Sequence, residues 1–265
     1  MEEVRIGDLL LEHYIPEVKK DHYSLLFVHG AQEGSWIFNN WAQAAAKAGR
    51  EVYAINLRGH SGRIPVENLG KVSIMDYVDD VKDVLRKIGP AILIGRSMGG
   101  LIAQIVADWD PSIPGVVFMN SAPGHGISPA SWATLSRYWK PQYLIASMLK
   151  RPLQPQEGDM KKLIFNNMSP SDAKATFQKL VPESGLAARE LTFWRWRGPE
   201  TKLYCPVLVI GATKDRLTPV SIQKKIARKY KATYKEFPGA HLLPLEQGWE
   251  APIEFILQWA ADHNL

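Results

Sequence analysis

The hexapeptide GRSMGG, Gly95–Gly100, follows the apolar run AILI, Ala91–Ile94, and leads into MGGLIAQIVADW, Met98–Trp109. The first run is short and uniformly apolar, as a buried strand is; the second repeats its apolar residues at helical spacing. A Gly-x-Ser-x-Gly pattern between a strand and a helix is the context that a nucleophile elbow requires. Such a turn is sharp and crowded, so residues without bulky side chains are needed on either side of Ser97. The helix that begins at Met98 aims its free N–H groups and partial positive charge at chemistry beside the serine hydroxyl. The turn therefore reads as one built to present Ser97, not one that Ser97 merely fills.

Working outward, short apolar runs alternate with helical patterns along most of the chain. YSLLFVHG, EVYAINLRG, AILIGRS, GVVFMNS, PVLVIGA and TYKEFPG read as strands, most of them too apolar for a one-sided sheet. Between and after them lie the helical stretches 36–49, 73–89, 98–109, 221–230 and 249–263. In the second, Ser73 is the expected N-cap and Gly89-Pro90 the stop signal. VRIGDLLLEHYI, 4–15, reads as a short antiparallel pair turning at Gly7-Asp8. This order predicts an α/β fold with a mostly parallel central sheet and helices on both faces. The alternation breaks between Pro123 and Glu200, a segment with four of the nine tryptophans, several prolines and helical pieces such as SPSDAKATFQKLV. The expected organisation is a core of residues 1–122 and 201–265 with residues 123–200 inserted as a helical segment that buries itself against the sheet domain.

A serine hydroxyl is a weak nucleophile near neutral pH and needs a base oriented by a third group. GATKDRLTP places Asp215 just past the strand PVLVIG, on the same carboxyl edge of the sheet as Ser97. PGAHLLP places His241 just past YKEF. The order Ser97, Asp215, His241, each after its own strand, is that of a hydrolase triad on an α/β sheet. Attack on a carbonyl also needs donors for the oxyanion. The Met98 backbone N–H is one; the Ala31 N–H, in the Gly-bearing loop HGAQEGSW, 29–36, is the expected second. His29 reads as a loop organiser, and Glu33, beside that loop, biases the site against anionic substrates. His13, His22, His60 and His263 have no placement comparable to that of His241.

Composition narrows the remaining classes. The chain has 265 residues, 46% hydrophobic and 22% charged, so a packed core rather than disorder is expected. No run of 18 apolar residues offers a membrane span, and MEEVRIGDLL lacks the basic flank and apolar core of a secretory signal. The single cysteine, Cys205, has no partner for a disulfide, metal or redox motif and reads as a structural thiol; a cytoplasmic location is expected. The net charge of +5 is concentrated in KKIARKYKATYK, 224–235, where the cations flank Ile222, Ile226 and Tyr230 as on a solvated amphipathic helix. No nucleic-acid motif accompanies it, and neither a metal nor a cofactor is expected.

With those residues in hand, the chain resembles the α/β-hydrolases, specifically the lidded small serine esterases. HGAQEGSW, NLRGHSG, LIGRSMGG, GATKDRLTP and PGAHLLPLEQGW appear in that family's order over nearly the whole length. Asn56 stands where many relatives have Asp, a position that is usually structural. The resemblance implies that 123–200 is a cap over the site. Its aromatic residues, including Trp132, Tyr138, Trp139, Phe193 and Trp194, either line an apolar acyl pocket or anchor the cap; His125 lies near its entrance. The implied activity is hydrolysis of small to medium apolar esters by a serine carboxylesterase. HGAQEGSW is also similar to the corresponding loop of methylesterases and hydroxynitrile lyases. The lyases carry Thr where this chain has Gly30, and Lys where it has Leu242, which favours hydrolysis. A ligand-binding receptor of the same fold is the other alternative. Neither substrate identity nor oligomeric state is encoded in any motif.

Overall fold

A computed structural model describes residues 1–20, 23–61, 68–124, 126–127, 140–193 and 203–265. Among the described residues, eight strands form one sheet: β1 (Glu2–Ile6), β2 (Leu9–Tyr14), β3 (Ser24–Val28), β4 (Val52–Asn56), β5 (Ala91–Arg96), β6 (Val116–Met119), β7 (Val207–Ala212) and β8 (Thr233–Phe237). Their spatial order is β1-β2-β4-β3-β5-β6-β7-β8. The first two form the antiparallel pair expected around Gly7-Asp8, and β2 runs antiparallel to β4. From β4 to β8 every pairing is parallel. Strands β3, β5, β6 and β7 are buried throughout, which explains why their sequences lack polar alternation.

Helices cover both faces. Helices α2 (Ile74–Ile88), α3 (Met98–Trp109) and α8 (Val220–Tyr230) pack on one side, where Val81, Ile102 and Ile226 meet Leu26, Leu93 and Val209. Helices α1 (Asn39–Lys47) and α9 (Glu250–Asp262) cover the other, where Trp41 and Ile256 meet Leu25, Phe27, Ile94 and Leu208. Successive strand residues thus serve opposite cores, as the two-residue period demands. Helix α2 starts where its sequence says it should: the Ser73 hydroxyl accepts from the Asp76 N–H, and the Asp76 carboxylate accepts from the Ser73 N–H. Gly89, at φ 85°, ends it.

Between β6 and β7 the described residues form four further helices: α4 (Pro141–Met148), α5 (Glu157–Leu163), α6 (Pro170–Phe177) and α7 (Gly185–Phe193). Ser169 and Pro170 start α6 in the ordinary way, by side-chain cap and fixed φ. The only extended pairing in this stretch, among the described residues, is one bridge between Leu153 and Glu183. Phe165 and Ala173 reach into the core on the α1–α9 face, so the segment is seated on the sheet. No helix among the described residues is long and apolar enough to cross a membrane. The basic stretch after Pro219 is the amphipathic helix expected, with Ile222 and Ile226 inward and Lys224 and Lys225 exposed.

Candidate active site

The parallel strands end on one edge of the sheet, and the loops that leave β3, β5, β7 and β8 meet there. Ser97 sits between β5 and α3 with φ 52° and ψ −118°, a backbone conformation that L-residues rarely adopt. The flanking glycines explain how the turn closes. A Cβ on Gly95 would lie 2.2 Å from the Gly99 carbonyl oxygen, and one on Gly99 would lie 2.2 Å from that of Val28. The strain is held by hydrogen bonds: Ser97 N–H donates to Met119 O at 3.1 Å, and Ser97 O accepts from Ala122 N–H at 2.9 Å. Each is long-range or spans the turn, so the neighbouring strand, β6, fixes the elbow.

His241 Nε2 lies 3.1 Å from Ser97 Oγ, and His241 Nδ1 lies 2.7 Å from Asp215 Oδ2. All three side chains are buried. Asp215 Oδ1 accepts the N–H groups of Leu217 and Thr218 at 2.8 and 2.9 Å, and Thr218 Oγ1 donates to Oδ2 at 2.9 Å. Burial alone would raise the Asp215 pKa; the charge and hydrogen bond of His241, with the Thr218 donors, outweigh it and hold the carboxyl below its usual range. Asp215 is therefore an anion that accepts the Nδ1–H, leaving Nε2 to face the serine. The His241 carbonyl is fixed in turn by Arg96 Nε at 3.2 Å and Asn120 Nδ2 at 3.2 Å. On either side, the N–H groups of Ala240 and Leu242 donate to the buried Glu246 carboxylate at 2.7 and 3.0 Å.

The loop after β3 comes against the elbow at Gly30, where a Cβ would approach Ser97 Cβ to 2.9 Å and Arg96 Nη1 to 2.7 Å. Among the described residues neither the Ala31 nor the Met98 N–H has an acceptor, and Met98 is the first residue of α3, where helix geometry supplies none. His29 donates from Nδ1 to Gly30 O at 2.7 Å and accepts the Leu57 N–H at Nε2, 3.1 Å. Burial, reinforced by His60, pushes its pKa down to about 3, so the ring is neutral and organises the loop. Glu33 accepts the Gly30 N–H at 3.0 Å and pairs with Arg96 inside the protein, so its charge is compensated rather than presented bare.

The inserted segment reaches this loop through Glu183. One carboxylate oxygen accepts the Gln32 N–H at 3.1 Å and His60 Nε2 at 3.0 Å; the other accepts the Tyr77 hydroxyl and the Ser184 N–H, each at 2.6 Å. Gln32 also donates from Nε2 to Leu153 O and accepts the Val181 N–H. Burial opposes both charges, yet the attraction between them prevails: the His60 pKa is raised and that of Glu183 is lowered. His60, set aside on sequence grounds, is thus half of a buried ion pair behind the loop.

A cavity of about 260 Å³ opens onto Ser97 and His241. Leu153, Met160, Leu163, Ile164 and Leu217 give it apolar walls, and Tyr143 donates to Asp159 at 2.6 Å in one corner. A larger cleft, about 450 Å³, lies beside the β1–β2 turn near Asp8, Arg58 and Asp80. Among the described residues its lining holds no histidine, whereas the smaller cavity presents Ser97 with His241, so the smaller cavity is the candidate site. Of the residues expected to touch substrate, His125, Trp132, Trp139 and Trp194 lie outside the described residues, as does Tyr138. Sequence reasoning missed Glu183, Glu246, Thr218 and the buried Arg96. For Glu246 a local signal existed, an acid five residues past the histidine in HLLPLE; for Glu183 none did. Among the described residues no group of three or more His, Cys, Asp or Glu is disposed to hold a metal.

A strained serine on a strand–helix elbow, faced by a histidine–aspartate pair from two later strands, defines an α/β-hydrolase. The chain belongs to the alpha/beta hydrolase family, whose model matches residues 25–256. It is 24% identical over 250 residues, 90% of each chain, to the thermostable monoacylglycerol lipase of Bacillus sp. (strain H-257). Its fold is similar to that of a thermophilic esterase from Thermogutta terrifontis, with a TM-score of 0.75, 19% identity and all of both chains covered. The monoacylglycerol lipase of Paleococcus ferrophilus superposes equally well, with a TM-score of 0.75, 21% identity and coverage of 99% and 100%.

Proposed function

We propose that this chain is a serine carboxylic-ester hydrolase acting on small to medium, uncharged, apolar esters. The observation that carries the reading is the continuous relay from Asp215 Oδ2 through His241 to Ser97 Oγ, at 2.7 and 3.1 Å, opening onto an apolar cavity. In this reading His241 takes the Ser97 proton as the hydroxyl attacks the ester carbonyl, and Asp215 stabilises the imidazolium. The N–H groups of Ala31 and Met98 hold the oxyanion. His241 then returns the proton to the departing alcohol, and water, activated by the same histidine, releases the acid from Ser97. No cofactor enters any step.

Residues 1–122 and 201–265 act as the catalytic core, and residues 123–200 as a cap that shapes the substrate site. The apolar walls, Leu153, Met160, Leu163, Ile164 and Leu217, support a preference for neutral over anionic acyl groups; the carboxylates that also line the cavity, Glu33, Asp159 and Glu183, are already paired with Arg96, Lys140 and His60. At about 260 Å³ the described space is slightly smaller than sites for drug-sized ligands, about 300 Å³ and upward, in keeping with compact esters. The lyase alternative is disfavoured at Gly30, where a side chain would have to displace Arg96 or Ser97. A reducing, cytoplasmic setting fits the free thiol of Cys205. The test is covalent: a fluorophosphonate probe should modify the protein once, at Ser97, as read by peptide mass spectrometry. Labelling elsewhere, or none, would refute the nucleophile assignment.

A further inference from the structure

The turn between α5 and α6 makes polar contacts to the loops that carry the two partners of Ser97. Asn167 Nδ2 donates to Glu246 Oε2 at 2.7 Å, the same oxygen that accepts the Ala240 N–H at 2.7 Å. Asn167 Oδ1 accepts from Lys214 Nζ at 2.8 Å, and Asn166 Nδ2 donates to Lys214 O at 3.0 Å. Arg216 Nη1 donates to Lys162 O at 3.0 Å. Both sequence neighbours of Asp215 are thereby tied to the inserted segment. Through Glu246, so are both neighbours of His241. The two loops are also joined directly, Lys214 N–H donating to Gly239 O at 2.7 Å.

The other side of this turn is the substrate cavity. Helix α5 contributes Met160 and Leu163 to the cavity wall, with Ile164 just after it. Phe165 is buried in the core between that wall and Asn167. A ligand pressing on α5 and a change in the Asp215–His241 spacing are therefore connected through three residues of chain and two hydrogen bonds.

We propose that Asn167 is a positioning residue: with Glu246 and Lys214 it clamps the Asp215 and His241 loops to the cavity wall and sets the alignment of the relay. The proposal rests on the hydrolase reading above for its kinetic consequence but not for its geometry. Asn167 suits the task because one planar amide supplies a donor to the carboxylate and an acceptor to the ammonium at once. Its side chain is partly exposed, so its replacement leaves the buried core intact.

The test compares wild type with Asn167→Ala and Asn167→Asp in ester turnover against pH, and in the low-field proton resonance of the His241 Nδ1–H bound to Asp215. Asn167→Ala should lower kcat about tenfold or more, with KM within about twofold, because misalignment affects the chemical step more than binding. Its low-field resonance should broaden or vanish. Asn167→Asp keeps the acceptor for Lys214 but sets a second carboxylate against Glu246. The groups facing that pair are Lys214 and the N–H donors of Ala240 and Leu242, with Arg216, Asp215 and His241 in the adjoining loops. A proton shared between the two carboxyls restores the missing hydrogen bond. The ratio of variant to wild-type kcat should accordingly rise as pH falls, which a merely structural loss would not produce. Wild-type kcat and an unchanged resonance in both variants would overturn the proposal. If wild type turns over no ester, the hydrolase reading fails by itself, and the resonance alone decides the clamp: lost in Asn167→Ala it stands, sharp and unshifted it falls.

Discussion

Replacing Glu183 with Ala removes one carboxylate and strands four donors: the Gln32 and Ser184 N–H groups, His60 Nε2 and the Tyr77 hydroxyl. His60 and Glu183 are both buried, at 3% and 2% exposure, so bulk water does not replace what is lost. Removing one partner of a buried pair costs about 3–5 kcal/mol, and each buried donor left without an acceptor about 1–3 kcal/mol. Neutralisation of His60 and water entering the vacated space offset part of the latter, so a net loss of about 4 kcal/mol is expected. That is a large share of the roughly 5–15 kcal/mol typical of a folded chain. Equilibrium urea unfolding measures it. The His60 pKa is raised in the folded protein, so its contribution is complete below the ordinary 6.5 and disappears as pH rises through the folded value. The Glu183 pKa is lowered, so its contribution is present above the ordinary 4.5 and is lost as pH falls through the folded value. The gap between wild type and Glu183→Ala should therefore be widest between the ordinary values of the two groups, about pH 5 to pH 6, and narrow as pH rises through the raised His60 value. A loss below about 1 kcal/mol, or a gap independent of pH, would refute the account of this network.

Other consequences can be checked more quickly. Asp215→Asn should lower kcat on the order of 10⁴-fold in steady-state ester hydrolysis, because the amide favours the wrong His241 tautomer. Gly99→Ala puts a Cβ 2.2 Å from the Val28 carbonyl oxygen and should yield insoluble or unfolded protein on expression. Burial pushes the Cys205 thiol up to about 11, so iodoacetamide near pH 8 should neither label native protein readily nor inhibit it, as mass spectrometry and activity would report. Paired substrates differing only in a terminal carboxylate on the acyl chain should show kcat/KM favouring the neutral member.

What could be read in advance was local chemistry attached to a periodic pattern. The elbow is legible because the strand before Ser97, the glycines around it and the helix after it lie within twenty residues. Asp215 and His241 are legible because each follows its own strand, and parallel strands deliver their loops to one edge. His29 is legible as a loop organiser from its place beside Gly30, and its hydrogen bonds to Gly30 O and from Leu57 N–H agree with that role. The inserted segment obeys no such rule. Glu183 stands 151 positions from Gln32 and 123 from His60, and nothing in its neighbours' spacing points to either. The same holds for Asn167 and Lys214, 47 positions apart. Arg96 carries no signal within GRSMGG, because a motif records which residues surround the serine and not that one of them turns inward to meet Glu33. Trp132, Tyr138, Trp139, Trp194 and His125, quoted for substrate contact, lie outside the described residues, and the apolar cavity wall comes instead from Leu153, Met160, Leu163 and Ile164, which no motif marks.

The most direct measurement of the central claim is multiple-turnover hydrolysis of p-nitrophenyl esters, from acetate to palmitate, by wild type and by Ser97→Ala. The account predicts many products per chain for wild type, an optimum among the shorter acyl groups, and the uncatalysed rate for folded Ser97→Ala. Turnover that survives the substitution, or a folded wild type that cleaves none of these esters, would contradict it.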